Sequence, residues 1–289
     1  MNAGLDALPP LRDVIRAHDL QADKRFGQHF LTDPNILGRI AKAPGPIDAA
    51  TVIEIGPGPG GLTRALLAAG AARMVAIEID PRCARIAEEI AAAADGRLTV
   101  VMADALTLDL TTLGSAPRWI VANLPYNIAT PLLVRWLKAV ATAPNAFGGM
   151  VLMFQKEVAE RLAAKPGSKA YGRLSVLTQW LMRAEKLFDL PGGAFTPPPK
   201  VASSVVRLTP LGALPGPLRF AAMEAVTGAA FGQRRKMLRQ SLKALGGSPE
   251  ALLDAAGILA TRRAETLTIA EFAALASLHA DSPHGQNVR

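Results

Sequence analysis

A strand-like run, Thr51-Val52-Ile53-Glu54-Ile55, opens directly onto Gly56-Pro57-Gly58-Pro59-Gly60-Gly61, and Leu62 to Ala69 then reads as a helix closed by Gly70. Alternate glycines between a strand and a helix constrain the fold strongly, because they admit backbone conformations and close ligand approach that a Cβ forbids. The alternation continues. Met74 to Ile77 reads as a second strand ending at Glu78, with a helix from Pro81 to Ala94 behind it. Leu98 to Met102 is a third strand ending at Asp104, and Arg118 to Ala122 a fourth ending at Asn123. Strands alternating with helices through short connections predict a parallel, doubly wound α/β sheet. Such sheets bind ligands beyond the carboxyl ends of their strands, where Gly56, Glu78, Asp104 and Asn123 all fall.

Two prolines occupy the positions between the glycines, and Glu54 sits just inside the strand before them. A dinucleotide would rest its pyrophosphate on the following helix N-terminus. Glu-x-Gly-x-Gly-x-Gly is instead the form that faces the amino-acid end and ribose of S-adenosylmethionine. Glu78, 22 residues after Gly56, is spaced to accept from both ribose hydroxyls. Asp104 is placed to accept from the cofactor's adenine amino group, with NAD the lesser alternative. Asn123-Leu124-Pro125-Tyr126 then supplies what an adenine substrate needs. The Asn123 side-chain carbonyl and a backbone carbonyl of Leu124 or Pro125 accept from one exocyclic amino group. The proline fixes the turn, and Tyr126 offers a face for stacking. A turn following a strand would use Asn and Pro in the same way.

Beyond the fourth strand, Gly149 to Phe154 predicts a fifth strand leading into a helix from Gln155 to Ala164. A loop from Lys165 to Tyr171 precedes a helix from Arg173 to Met182, and Lys186 to Leu190 and Ser203 to Leu208 predict two closing strands. Phe195-Thr196-Pro197-Pro198-Pro199-Lys200-Val201 between them is too proline-rich for sheet or helix. The expected domains are a flexible arm over 1–24, the α/β domain over 25–210, a helical RNA-binding domain over 217–280 after a Gly/Pro/Leu linker, and a disordered tail over 281–289. Ser248-Pro249-Glu250 and Thr268-Ile269-Ala270-Glu271 read as helix starts in the helical part, and Leu11 to Ala17 as a short helix in the arm.

A net charge of +8 favours a polyanionic partner. Lys165, Lys169, Arg173 and a second group, Arg234, Arg235, Lys236, Arg239 and Lys243, are the candidate phosphate contacts. The second group reads as helical and as covering more than one side. The single cysteine, Cys83, excludes an intrachain disulfide and reads as packing, and the four histidines show no metal-ligand spacing. No uncharged run is long enough to cross a bilayer and no secretory signal opens the chain, so a cytoplasmic protein without metal or membrane is expected.

Six stretches taken in order resemble the ribosomal RNA adenine dimethyltransferases, most nearly the small-subunit (16S) branch. They are Gly27-Gln28-His29-Phe30-Leu31, the glycine loop, Asn123 to Tyr126, Gln155-Lys156-Glu157-Val158-Ala159-Glu160-Arg161, Phe195 to Val201, and Phe231-Gly232-Gln233-Arg234-Arg235-Lys236-Met237-Leu238. The resemblance implies a Rossmann-like S-adenosylmethionine-dependent methyltransferase sheet with a smaller C-terminal all-helical domain. It further implies methylation at N6 of two adjacent adenosines near the 3′ end of 16S rRNA during 30S assembly, by a monomer. His29 and Leu31 would line the cofactor site with Gly56, Glu78, Asp104 and Asn123. His29 stands where many members carry asparagine, so either its side chain or its backbone makes the contact. Phe195, held by the prolines, would form the second face of the base pocket opposite Tyr126. The alternatives are a large-subunit rRNA methyltransferase of antibiotic resistance, a DNA adenine methyltransferase, and a non-catalytic assembly factor of the same fold.

Overall fold

The computed structural model describes residues 3–23, 28–212 and 218–285. Lys24 to Gly27, most of the expected linker (213–217) and the last four residues of the expected tail lie outside them. Two short helices, α1 (Ala3–Asp6) and α2 (Leu11–Ala17), precede strand β1 (Phe30–Leu31) and helix α3 (Pro34–Lys42). The alternating core follows as β2 (Thr51–Ile55), α4 (Gly61–Ala68), β3 (Arg73–Glu78), α5 (Pro81–Ala92), β4 (Leu98–Met102), β5 (Arg118–Ala122), α6 (Tyr126–Thr142) and β6 (Gly149–Gln155). Next come α7 (Lys156–Leu162), α8 (Arg173–Leu181), β7 (Met182–Leu190), β8 (Phe195–Thr196) and β9 (Ser203–Pro210). Helices α9 (Phe220–Gly232), α10 (Leu238–Ser241), α11 (Pro249–Ala255) and α12 (Ile269–Asp281) complete the described chain. None of the described helices is long and apolar enough to cross a membrane.

Seven strands form one sheet in the order β4-β3-β2-β5-β6-β9-β7. The first five are parallel, and β9 and β7 close the edge antiparallel. Strand order reverses between β2 and β5, so the crevice of a doubly wound sheet opens where Gly56 leaves β2 and Asn123 leaves β5.

The side-chain period of two splits the core cleanly. Ile53, Ile55, Ile120, Ala122, Met150 and Leu152 join the core on one face. Val52, Val121, Val151 and Met153 join the core on the other, with Leu37 of α3, Leu66 of α4 and Ile86 of α5.

Three expectations change here. The arm over 1–24 is not loose where it is described: Val14 is 3% and Leu20 4% exposed, both inside the second core. A seven-residue helix cannot hold its own shape in water, so burial of its apolar side is what fixes it. The tail also begins later than 281, since Asp281 is the last residue of α12 and Ser282 donates to the His279 carbonyl at 2.7 Å. The Pro-rich stretch does contain a strand, because Leu31 and Phe30 of β1 pair antiparallel with Phe195 and Thr196 of β8. A two-residue strand needs only one donor-bearing segment before the first proline.

Helix α6, between the fourth and fifth strands, carries no local signal strong enough to be expected and contains Pro131. The carbonyl that residue 131 would have satisfied belongs to the exposed Asn127, where water can replace the lost bond. The C-terminal helices pack onto α8 through a Trp180–Phe220 ring contact at 6.2 Å and onto the loop before it through Tyr171–Phe231 at 6.1 Å. Val226, Phe272 and Leu275 share one continuous core with the sheet.

Candidate active site

The glycine loop after β2 is built on left-handed backbone, with φ of +66° at Gly56, +54° at Gly58 and +82° at Gly60. A Cβ on Gly60 would lie 2.1 Å from Ile90 Cδ1, so both conformation and space demand glycine there. Behind the loop, Thr63 Oγ1 of α4 donates to Glu54 Oε2 at 2.7 Å. Glu54 is 1% exposed. Burial, with the Thr63 bond opposing and nearby Glu78 adding to it, pushes its carboxyl up to about 8.

Glu78 ends β3 and is 5% exposed. Its Oε2 accepts from Gly58 N at 3.2 Å, and its Oε1 from Ile79 N and Asp80 N at 2.8 and 2.9 Å. Burial raises its pKa, and those three backbone bonds hold it back. A carboxylate has about four acceptor sites, so roughly one remains. Accepting from both hydroxyls of a ribose therefore requires one of the backbone bonds to be shared or released. Asp104, past β4, accepts from Leu106 N through Oδ1 at 2.9 Å, and its Oδ2 has no partner among the described residues.

Asp80 caps α5 and is buried, which by itself would raise its pKa. Hydrogen bonds from Arg82 and from Gln28 Nε2, the latter at 3.0 Å, hold it at about 2 instead. Gln28 thereby ties the segment before β1 to the first turn of α5. Cys83 is buried in the same helix, and burial pushes its thiol up, as packing rather than reactivity requires.

Asn123 Nδ2 donates to the His29 carbonyl at 3.0 Å. With the amide nitrogen engaged, Oδ1 is the atom left to accept. The His29 ring is committed elsewhere: Nδ1 lies 2.9 Å from the Pro197 carbonyl, and because a carbonyl only accepts, Nδ1 carries the proton. Tyr126, the first residue of α6, stands 6.0 Å from the His29 ring and 2.5 Å by its hydroxyl from Ser203 Oγ.

One cavity of about 200 Å³ is lined by His29, Leu31, Gly56, Glu78, Asp104 and Asn123, and by Leu124, Pro125 and Tyr126 as well. These residues span the chain from β1 to α6, and the sheet's crevice collects them. Phe195 is the exception. It is 3% exposed and packed in the second core beside Phe30 and Leu31, and it does not line the cavity. Pairing in β8 turns its ring inward, so it does not form the second face of a base pocket here. The sequence reading missed Ile79, a 47%-exposed apolar residue at the cavity wall, and Ser203, which only tertiary contact links to Tyr126. An apolar residue directly after a strand-end acid was the available signal for Ile79.

The basic residues divide by role. Arg173 pairs with Glu224 of α9 at 2.8 Å, and Arg234 donates to the Lys169 carbonyl at 2.7 Å. Lys165, Lys169, Arg235, Lys236, Arg239 and Lys243 are exposed. Arg234 to Lys236 form a turn between α9 and α10 and are not helical. The Arg234 bond sets the Lys165–Tyr171 loop against that turn, joining two basic groups that lie far apart in sequence.

Comparison with known proteins identifies the family and the fold. The chain is 59% identical over 271 residues to the ribosomal RNA small subunit methyltransferase A of Rhodospirillum rubrum, covering 94% of this chain and 92% of the relative. It is 58% identical to the protein of the same name from Rhodopseudomonas palustris (strain BisB5), over 95% of this chain and 96% of that one. Among solved structures it resembles a dimethyladenosine transferase from Plasmodium falciparum, with a TM-score of 0.72, 28% identity, and coverage of 86% of this chain and 96% of that one. The 23S rRNA methyltransferase ErmE gives a TM-score of 0.64 at 28% identity, covering 86% and 98%. A family model described as ribosomal RNA adenine dimethylase matches residues 19–281, and the chain belongs to that family.

Proposed function

We propose that the cavity transfers methyl groups from S-adenosylmethionine to N6 of two adjacent adenosines near the 3′ end of small-subunit rRNA, in the assembling 30S subunit. The observation that carries this reading is the tether of Asn123 Nδ2 to the His29 carbonyl, which reserves Oδ1 as an acceptor on a residue lining the cavity. Small-subunit specificity is supported by the names of relatives 58–59% identical over nearly the whole chain. The large-subunit enzyme ErmE is matched at 28%.

The donor set fits the cofactor. The glycine loop lines the cavity with Gly56, Gly58 and Gly61, where no Cβ stands between a ligand and the backbone, and with the rings of Pro57 and Pro59. Glu78 offers its remaining acceptor site to the ribose, and Asp104 offers Oδ2 to the adenine amino group. When bound, S-adenosylmethionine supplies a methyl carbon made electrophilic by its sulfonium. Glu54, below its pKa of about 8, keeps its proton near neutral pH and acts as a hydrogen-bonding group, with no role as a base.

An adenine amino nitrogen is a weak nucleophile because its lone pair is delocalised into the ring. Asn123 Oδ1 and the Leu124 or Pro125 carbonyl accept its two N–H bonds. They turn the lone pair toward the methyl and stabilise positive charge as it develops on nitrogen. The N–C bond forms as the methyl–sulfur bond breaks and the thioether leaves; the cationic nitrogen then passes its N–H proton to water, so no general base is required. The target base leaves its stack at a cost of a few kcal/mol, and stacking on Tyr126 returns about 1–3 kcal/mol. Lys165, Lys169, Arg235, Lys236 and Arg239 grip phosphates, while Arg234 braces the Lys169 loop and Arg173 is paired with Glu224. The enzyme works as a monomer in the cytoplasm, with 217–280 as its RNA-binding part.

The test is incubation with unmethylated small subunits and methyl-labelled cofactor, followed by mass mapping of the rRNA. Dimethyladenosine at two adjacent positions near the 3′ end is expected. Label confined to large-subunit RNA would overturn the substrate assignment. Asn123→Ala should abolish transfer while leaving cofactor affinity within about threefold, since the side chain's acceptor faces the substrate. A fully active variant would remove its orienting role.

A further inference from the structure

We propose that Ser203 is a positioning residue of the base site, fixing the plane on which the substrate adenine stacks through its hydrogen bond to Tyr126. The proposal rests on the reading of Tyr126 as the stacking face.

Tyr126 begins α6, whose N-terminus has no side-chain cap, and its ring is only half-buried. Among the described residues its ring has one aromatic neighbour, His29, at 6.0 Å and tilted by 30°. Neither contact fixes rotation about the side-chain bonds. The phenol oxygen is partly desolvated, which raises its pKa against the opposing Ser203 bond, and a desolvated hydroxyl needs a partner. Ser203 provides one at 2.5 Å.

The anchor itself is stiff. Ser203 is 1% exposed and opens β9 with a strand on either side, opposite Gln155 of β6 and Leu190 of β7. The next residue, Ser204, donates to Asp189 at 2.7 Å, and Ala202 accepts from Lys156 N at 2.8 Å. The proline run is tied at its other end by Pro197 to His29. The segment 197–203 therefore holds the His29 ring at one end and the Tyr126 hydroxyl at the other. A shift of Tyr126 by one rotamer would remove the stacking plane while leaving the cofactor side of the cavity intact.

The experiment is steady-state methylation of unmethylated small subunits by Ser203→Ala, Tyr126→Phe and the double variant, with cofactor affinity and melting temperature measured alongside. Each single variant loses one hydrogen bond's worth of positioning, expected to lower kcat roughly 3- to 10-fold. Cofactor affinity should stay unchanged, and the double variant should be no slower than either single one. Ser203→Thr, which keeps the hydroxyl, should restore the rate. Tyr126→Phe removes the same bond without touching the sheet, so the comparison survives if Ser203→Ala folds poorly. Additive losses, or a lowered melting temperature with unchanged kcat, overturn the proposal. If Tyr126→Ala is fully active, the stacking role of Tyr126 itself falls. If Tyr126→Ala is inactive and Ser203→Ala is normal, only the role of Ser203 does.

Discussion

Glu54→Gln should make the protein's stability less dependent on pH, by an amount the site itself sets. The folded carboxyl titrates at about 8 against 4.5 for the unfolded chain. Between those values the folded state holds a proton that the unfolded state has released. Stability attributable to Glu54 is therefore fully present below pH 4.5 and is lost at about 1.4 kcal/mol per pH unit as pH rises toward 8. Over the whole window the loss is about 5 kcal/mol. Glutamine keeps a carbonyl to accept from Thr63 and has nothing to ionise. Other groups titrate in both proteins and cancel in the difference. Working the linkage between pH 6 and pH 8, the stability gap between variant and parent should shift by about 2.3 kcal/mol in the variant's favour. Urea denaturation of both proteins without cofactor, at half-unit pH steps and with m-values checked for equality, reads this directly. A gap that stays constant across that range would mean Glu54 is charged when folded, and the account of it as a neutral group would fail.

Gly60→Ala forces a left-handed φ and a 2.1 Å contact with Ile90, and should destabilise by roughly 1–3 kcal/mol and weaken cofactor binding; unchanged melting and affinity would contradict the loop's description. Neutralising Arg235, Lys236 and Arg239 together should reduce the salt slope of RNA binding by about one for each phosphate left without a cation, with melting temperature unaltered. Arg234→Ala should behave differently, lowering stability through the freed Lys169 carbonyl, and a pure salt-slope effect would reassign it to direct phosphate binding.

The strands and their terminal residues were legible because each signal was local. Short, mostly apolar runs, with a glycine after one and an acid or amide after the others, define an α/β sheet and the residues its crevice collects. The fate of Phe195 was not legible. Whether a ring before a proline run faces a ligand or a core depends on β1, 164 residues earlier, pairing with it. The arm failed for a similar reason, since the hydrophobicity of Leu11, Val14 and Ile15 is too brief to announce burial without its partners. The turn at Arg234 to Lys236 reads as helix by composition. Its backbone is instead drawn out by bonds from Leu238 N and Arg239 N to the Arg262 and Ala260 carbonyls.

The single core running from the sheet into α9 and α12 has a consequence for how a target could be chosen. Because that core packs against both, the basic turn before α10 and the cavity at Asn123 rest on the same set of buried side chains, like the jaws of a caliper. An RNA held by its phosphates at one jaw would present to the other whichever nucleotide lies at the matching reach. Selection would then depend on the folded shape of the RNA more than on the bases beside the target, and a misfolded rRNA with the correct sequence would be passed over.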